Sequence, residues 1–333
     1  MTLGTETQTE EKKPSLSVVI ATYNRKDVLK TTLERLAAQS FPLSDFEVIV
    51  VDDGSRDGTA DMIRSMKKTM PFKLGYFHQD RRGPGGANNT GARRAKADII
   101  VFLANDMHPT PGVLDAHYRC HMENPEPHIA VVGELRESPE LRQTAFQRAW
   151  DPFRGRRLDG KKELDEFDMW VSNLSMKRSF FLENGIFLEY PGPAAEDLEC
   201  SHRLFKNGMK LIYCRDALTY HCHAQTVDTA MARNYATGKN FHIYEDNVTD
   251  DRFYRRHRVF SRRLSFGDTI SIGFICLLRY LMFNPVTVPY VAIPLIRKGE
   301  TNRLIRPFMG FLIRRSLGYY FRKGVAESRR SNH

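Results

Sequence analysis

Apolar residues along the chain follow two alternating periods. Four runs, "LSVVIATYN" (16–24), "FEVIVVDDGS" (46–55), "KLGYFHQ" (73–79) and "DIIVFLAND" (98–106), are rich in β-branched and aromatic residues and end on polar ones. Such runs predict buried strands. Between them the spacing becomes helical. Val28, Leu29, Leu33, Leu36 and Ala37 share one face of 27–40, the stripe by which a helix packs on a sheet. Residues 58–69 read as a second helix, with Asp57 or Thr59 near its cap, and 83–97 as a glycine-rich turn entering a third. Strands alternating with helices predict an α/β fold with a mostly parallel sheet flanked by helices, whose sites lie at the carboxyl ends of the strands. Tyr23, Asp53 and Asp106 fall at such ends.

After Pro111 the pattern loosens. Residues 129–135 predict another strand, and 137–166, polar and charged, a mobile loop. Residues 170–185 read as a strand, a turn and a helix closed by Gly185. Residues 194–208 predict a helix with acids in its first turn, and 210–226 a strand-like segment ending in His221 and His223.

Charge then divides the chain. From Arg233 to His333 there are 19 Lys+Arg against 7 Asp+Glu, while the net charge of the whole is +10. The excess positive charge therefore lies in the last third, which predicts a second region with an anionic partner. Residues 264–296 are mostly apolar, but Asp268, Arg279 and three prolines interrupt them, which argues against a spanning helix. Arginines flank this stretch and alternate with aromatic and aliphatic residues over 303–324, the composition of a segment lying on anionic lipid. The alternatives are a helical subdomain packed on the α/β core and an interface between copies of the chain. No nucleic-acid module is recognisable. Five cysteines without CxxC pairing predict reduced thiols and a cytoplasmic setting. The polar start, 1–14, predicts a flexible tail without a signal segment.

"VVIATYNR", "VIVVDDGSRDGT", "GARRAKADIIVFLAND" and "EDLECSHRLFKNG", followed by "YHCH", resemble the family-2 glycosyltransferases of the GT-A fold. The likeness covers roughly 15–226 and leaves 227–333 as a basic helical extension. It implies an inverting transferase that uses a nucleotide-diphosphate sugar, a UDP-sugar by preference, with Mg²⁺ or Mn²⁺. By resemblance Asp106 is the metal ligand, the last acid of the family's DxD motif. Ala104 stands at the first acidic position, a departure that weakens the metal site. A histidine, His221 or His223, completes the site in the family. Asp197, beside Glu196, takes the place of the catalytic base. Ala21, Thr22, Tyr23, Asn24, Asp53, Asn89 and Asn105 match the donor-nucleotide side.

Other readings of the same residues stay open. Tyr23 offers a flat face to a base, or packs at a turn. Asp53 accepts from a base or ribose, or caps a turn as Asp52 does. His221, Cys222 and His223 also suit zinc, although no further Cys/His cluster supports it. Glu196, Asp197 and Glu199 also complement a helix N-terminus. Arg203 faces a diphosphate or pairs with Glu199 four residues back. "GPGGANNTG" cradles phosphate at a helix start, with Arg81, Arg82 or Arg93 standing in for the family's arginine at Asn88. The expected activity is transfer to a lipid-linked or cell-surface glycan, at the inner face of the plasma membrane. The rival is a nucleotide-sugar-binding protein of the same fold without turnover.

Overall fold

The computed structural model describes residues 12–141, 144–149, 158–192, 195–248 and 283–331. Part of the expected apolar stretch, 264–282, lies outside them. The apolar runs become β1 (Leu16–Thr22), β2 (Phe46–Asp52), β3 (Lys73–His78) and β4 (Ile99–Leu103). Every residue of β2 and β4 is buried, because the sheet is covered on both faces. The intervening helices are α1 (Lys26–Leu36), α2 (Thr59–Met66) and α3 (Gly83–Arg94). Then come β5 (Met107–Pro109), α4 (Val113–Glu123), β6 (Ile129–Glu137), α5 (Ala145–Ala149), β7 (Asn173–Lys177), α6 (Arg178–Asn184), α7 (Glu196–Lys206) and β8 (Lys210–His221). The remaining elements are α8 (Val227–Lys239), α9 (His242–Asn247), a π-helical turn (Val288–Ala292), α10 (Ile293–Lys298) and α11 (Arg306–Ser331).

One eight-stranded sheet runs in the order β3-β2-β1-β4-β7-β6-β8-β5. β1 to β4 pair in parallel, as does β6 with β8; β7 lies antiparallel to both β4 and β6, and β5 antiparallel to β8. The sheet is therefore mixed and mostly parallel, as the alternation predicts. The rings of Phe181 and Phe187 meet that of Phe102 at 4.9 and 5.8 Å, which ties α6 and the segment after it to the centre of β4.

One expectation changes. The segment 137–166 is not loop throughout: Glu137 ends β6 and Ala145–Ala149 is helical. Its backbone N–H groups at Ala145 and Phe146 donate to the Glu300 carboxylate, each at 2.8 Å, and so fasten it to the C-terminal helices. Those helices have a core of their own, in which Met231, Val288, Ile296, Met309 and Ile313 are buried together. No helix among the described residues is long and apolar enough to cross a membrane.

Candidate functional site

β2 and β4 flank β1 on opposite sides. The chain changes direction there, which is where open α/β sheets carry their ligand sites. The amide of Asn105 bridges the ends of β1 and β4, donating to Ala21 O at 2.9 Å, while Thr32 Oγ1 donates to Asn105 O at 2.7 Å. Asp106 comes next, and β5 begins one residue later. The pairing of β5 with β8 sets Met107 opposite His221, and Cys222 N donates to Asp106 O at 2.9 Å. On the other side of β8, β6 sets Glu137 opposite His221. Strand register thus assembles three side chains distant in sequence. His221 Nε2 lies 3.8 Å from Asp106 Oδ2, and His221 Nδ1 lies 3.2 Å from Glu137 Oε1. Arg25, just after β1, donates from NH1 to the same Asp106 Oδ2 at 2.8 Å.

The Glu137 contact orients the His221 ring, as a carboxylate behind a metal-binding histidine does. A cation with bonds of about 2.1 Å holds neighbouring ligands about 3 Å apart and opposite ones about 4.2 Å apart. The 3.8 Å between Asp106 Oδ2 and His221 Nε2 is short enough for one cation to reach both after a small adjustment of either side chain. No group of three or more His, Cys, Asp and Glu that can hold a metal occurs among the described residues. The donor set therefore suits a hard or borderline cation that fills its shell with phosphate oxygens and water. It does not suit a closed zinc site. His223 lies past the end of β8, so strand alternation does not govern it. Its ring centroid is 6.4 Å from that of His221. Its pKa is lowered, first by burial and then by Arg25, which favours the neutral imidazole beside Asp106.

At the end of β1, Thr22 is buried and its Oγ1 has no hydrogen-bond partner. An unpaired buried hydroxyl is costly, and one at a strand end invites a ligand. Tyr23 follows, with the Arg81 guanidinium 3.8 Å from its ring centroid. One face of the tyrosine already carries a planar cation. Asn24 adopts φ +49°, which asparagine tolerates. It ties the turn to the next one, accepting from Arg56 N and donating its own N–H to Ser55 Oγ.

Three sequence expectations need correction here. Asp53 is buried, and its oxygens accept from Gln79 Nε2, Arg82 N and Gly83 N, each at 2.8 Å. It therefore caps α3 and fills the helix N-terminus that was expected to cradle phosphate. The glycines there serve close packing: a Cβ on Gly83 would sit 1.6 Å from Tyr190 O, and one on Gly85 2.5 Å from Leu188 O. Asn89 is fully buried and clamps that same crossing segment, donating to Phe187 O and accepting from Phe187 N, both at 2.9 Å. It has no face left for a donor. Arg203 takes the local option and grips Glu199, Asn184 O and Ile186 O. Arg82 pairs with Glu189.

Glu196 and Asp197 open α7. Asp197 is exposed, and Oδ1 accepts from Leu198 N at 2.8 Å. No hydrogen bond or ion pair joins it to the Asp106 group among the described residues. Residue patterns alone do not disclose Glu137 or Arg25 as partners of this site. Arg25 stands directly after "TYN", which was a usable signal, whereas Glu137 enters only through register.

The family model described as glycosyl transferase family 2 matches residues 17–185, just over half of the chain. A validoxylamine A glucosyltransferase of Streptomyces hygroscopicus subsp. jinggangensis is 33% identical over 234 residues, covering 61% of this chain and 54% of its own length. The chain spans about half the length of the curated relatives it matches over most of its own length. Among solved structures, the mannosyltransferase PcManGT from Pyrobaculum calidifontis, in complex with GDP-Man and Mn²⁺, superposes with a TM-score of 0.60. It is 16% identical, and the match covers 97% of this chain and 89% of that one. The S. aureus TarS fragment 1–349 with UDP-GlcNAc has a TM-score of 0.51 at 17% identity, covering 95% and 92%. These likenesses show a GT-A-type fold.

Proposed function

This chain belongs to glycosyl transferase family 2, and on that premise we propose that it moves a sugar from a nucleotide-diphosphate donor to a hydroxyl of a glycan or lipid-linked acceptor, with inversion at the anomeric carbon. The observation that carries the reading is the convergence of Asp106, His221 and Arg25 at the sheet rim. Asp106 and His221 would hold the divalent cation, with Glu137 orienting the imidazole. When bound, Mn²⁺ or Mg²⁺ neutralises charge on the leaving diphosphate; an imidazole in the set favours Mn²⁺. Tyr23 and Thr22 line the nucleotide side. Arg25 and Arg81 supply fixed positive charge that adds to the diphosphate side without a metal.

Transfer is a single displacement. The acceptor oxygen forms a bond to the anomeric carbon as the bond to the diphosphate oxygen breaks, and the hydroxyl proton passes to Asp197. An exposed carboxylate at a helix N-terminus is open to an acceptor from solvent. The enzyme works at an anionic membrane face, where the basic C-terminal region brings it to its acceptor. The binding-protein alternative draws on Ala104 and on the Arg25–Asp106 pair, which together weaken the metal site.

The deciding experiment is release of nucleoside diphosphate from a panel of UDP- and GDP-sugars with Mn²⁺, using full-length protein. Asp197→Asn is expected to lower turnover on the order of 10²–10⁴-fold and to leave donor binding, read by calorimetry, within twofold. Near-parental turnover in this variant removes Asp197 from the role of base. Donor binding without turnover for any sugar and acceptor favours the binding-protein reading.

A further inference from the structure

Seven large apolar side chains stand exposed among the described residues. Six of them, Val286, Tyr290, Val291, Leu304, Phe308 and Phe311, lie between 286 and 311, with exposures from 44% to 83%. Scattered exposed apolar residues need no explanation, but a concentration such as this does. The exposed positions follow two outer helical faces. Along the π-helical turn and α10 they are 290, 291, 294, 297 and 298; along the approach to α11 and its first turns they are 301, 303, 304, 306, 307, 308, 311 and 314. The inner faces are already occupied, since Val288, Ile293, Ile296, Met309 and Ile313 fill the core beneath. Phe283 joins the two elements, its ring 5.7 Å from that of Phe311.

Each outer stripe passes from apolar to basic: Tyr290 and Val291 lead to Arg297 and Lys298, and Leu304 and Phe308 lead to Arg314. Residues 283–331 contain ten Lys+Arg against two Asp+Glu. Both acids are engaged within the protein, Glu300 by the N–H groups of α5 and Glu327 by the Tyr235 hydroxyl. The Arg315 guanidinium lies 5.3 Å from the Phe311 ring centroid, so a cation accompanies an exposed ring.

We propose that this outer face of α10 and the first turns of α11 docks onto an anionic phospholipid bilayer. Tyr290, Leu304 and Phe308 enter the headgroup boundary, and Lys298, Arg303 and Arg314 meet the phosphates. The proposal rests on the membrane part of the function proposed above and on none of the transfer chemistry. Charge selects the bilayer over a second copy of the chain. A two-fold contact sets the same patch against itself, which would place arginines against arginines.

The test is co-sedimentation of full-length protein with vesicles of phosphatidylcholine alone and of phosphatidylcholine with phosphatidylglycerol. Parent protein is compared with Tyr290→Ser/Leu304→Ser/Phe308→Ser and with Lys298→Glu/Arg303→Glu/Arg314→Glu. Each basic group near such a surface multiplies binding about fivefold, so the charge variant loses on the order of a hundredfold or more. The apolar variant loses at least about tenfold. Parent binding requires the anionic lipid and weakens with salt. Nucleotide-sugar binding in solution stays unchanged in both variants, which establishes that they fold. If the parent does not pellet with anionic vesicles at low salt, the membrane reading and this surface fall together. If the parent pellets and both variants pellet equally well, membrane association stands and this surface is wrong. Light scattering that finds an oligomeric parent and monomeric variants assigns the face to a second copy and overturns the proposal.

Discussion

At the sheet rim, Asp106, Asp53 and Glu137 each meet a hydrogen-bonding partner within 3.2 Å: Arg25, the N–H groups before α3, and His221. On the outer face of α10 and α11, basic side chains stand among exposed aromatic rings, with no unengaged acid in 283–331 to answer them. The contrast follows from burial. An acid at the end of a buried strand loses much of its hydration, and folding must supply donors in place of water. An arginine on an exposed helix keeps its water and can wait for an external partner. The rim is therefore fixed before a ligand arrives, as stabilisation of developing charge requires, while the helical face is completed by what it binds.

The sharpest way to break this comparison is a truncation in each region. Phe102→Ala removes a buried ring that touches Phe181 and Phe187, and the expected loss is about 3–5 kcal/mol of stability. Phe308→Ala, at a side chain 63% exposed, is expected to stay within about 0.5 kcal/mol. Urea denaturation of the full-length protein measures both. A comparable loss at Phe308 means that the face is covered in solution.

The same contrast explains what the sequence discloses. Strands β1, β2 and β4 are legible because burial on both faces leaves continuous apolar runs, and the acids that end them mark the rim. The glycines at 83 and 85 mislead, because their cause is a segment about a hundred residues away: Tyr190 O and Leu188 O occupy the space a side chain would need. Asn89 is misread for the same reason. Glu137 is hidden inside an apparently loop-like stretch, since only the register of β6 on β8 carries it to His221. The outer helical face is legible as composition, arginines among aromatics, but composition does not say which half of each helix faces inward.

The second prediction uses pH, to which arginines do not respond. Between α4 and β7, Asn173 Nδ2 donates to Ala217 O, so its Oδ1 accepts from His117 Nε2–H. His117 Nδ1 then accepts from Ser175 Oγ–H, and Ser175 Oγ accepts from His121 Nε2–H. That order leaves His121 Nδ1 buried without a partner. Burial, the first cause in each, lowers His117 to about 4 and His121 to about 3. Above an ordinary histidine pKa of about 6.5, both folded and unfolded chains are neutral here and the pair adds nothing. As pH falls below about 6.5, the unfolded chain takes up protons that the fold refuses, so stability is lost down to the folded values. His117 alone accounts for roughly 3 kcal/mol by pH 4. Denaturation midpoints at pH 7.5 and 5 check this, with His117→Gln expected to flatten the slope. A parent protein equally stable at both pH values rules out a neutral buried ladder.

Smaller in free energy is the effect of Glu137→Gln. A carboxylate behind a metal-binding histidine typically contributes 10–100-fold to metal affinity. Calorimetry with Mn²⁺ and a nucleoside diphosphate is expected to show a loss of about tenfold, because glutamine still accepts from Nδ1–H but without charge. The corresponding change on the helical face, Arg314→Gln, leaves Mn²⁺ affinity unchanged. If Glu137→Gln also leaves it unchanged, His221 is not a ligand and the register argument carries only structure.

The smallest effect is the one that separates two roles of Arg25. Its guanidinium lies 2.8 Å from Asp106 Oδ2, with the arginine side chain 35% exposed and the aspartate side chain 16% exposed. A pair open to solvent to this degree contributes about 0–1 kcal/mol, so Arg25→Ala should barely alter stability. A divalent cation at Asp106, however, must share or displace that guanidinium and tolerate its like charge. Removing Arg25 is therefore expected to tighten Mn²⁺ binding a few-fold in the absence of nucleotide, consistent with a pair of under about 1 kcal/mol. The sign reverses once a diphosphate is present, since the variant then lacks a cation that the leaving group would meet. Titrating Mn²⁺ alone and then UDP in the presence of Mn²⁺ reads the two terms separately. Tighter metal with weaker nucleotide establishes Arg25 as both counter-ion and diphosphate contact. Unchanged metal affinity means that the cation does not bind where Arg25 and Asp106 meet.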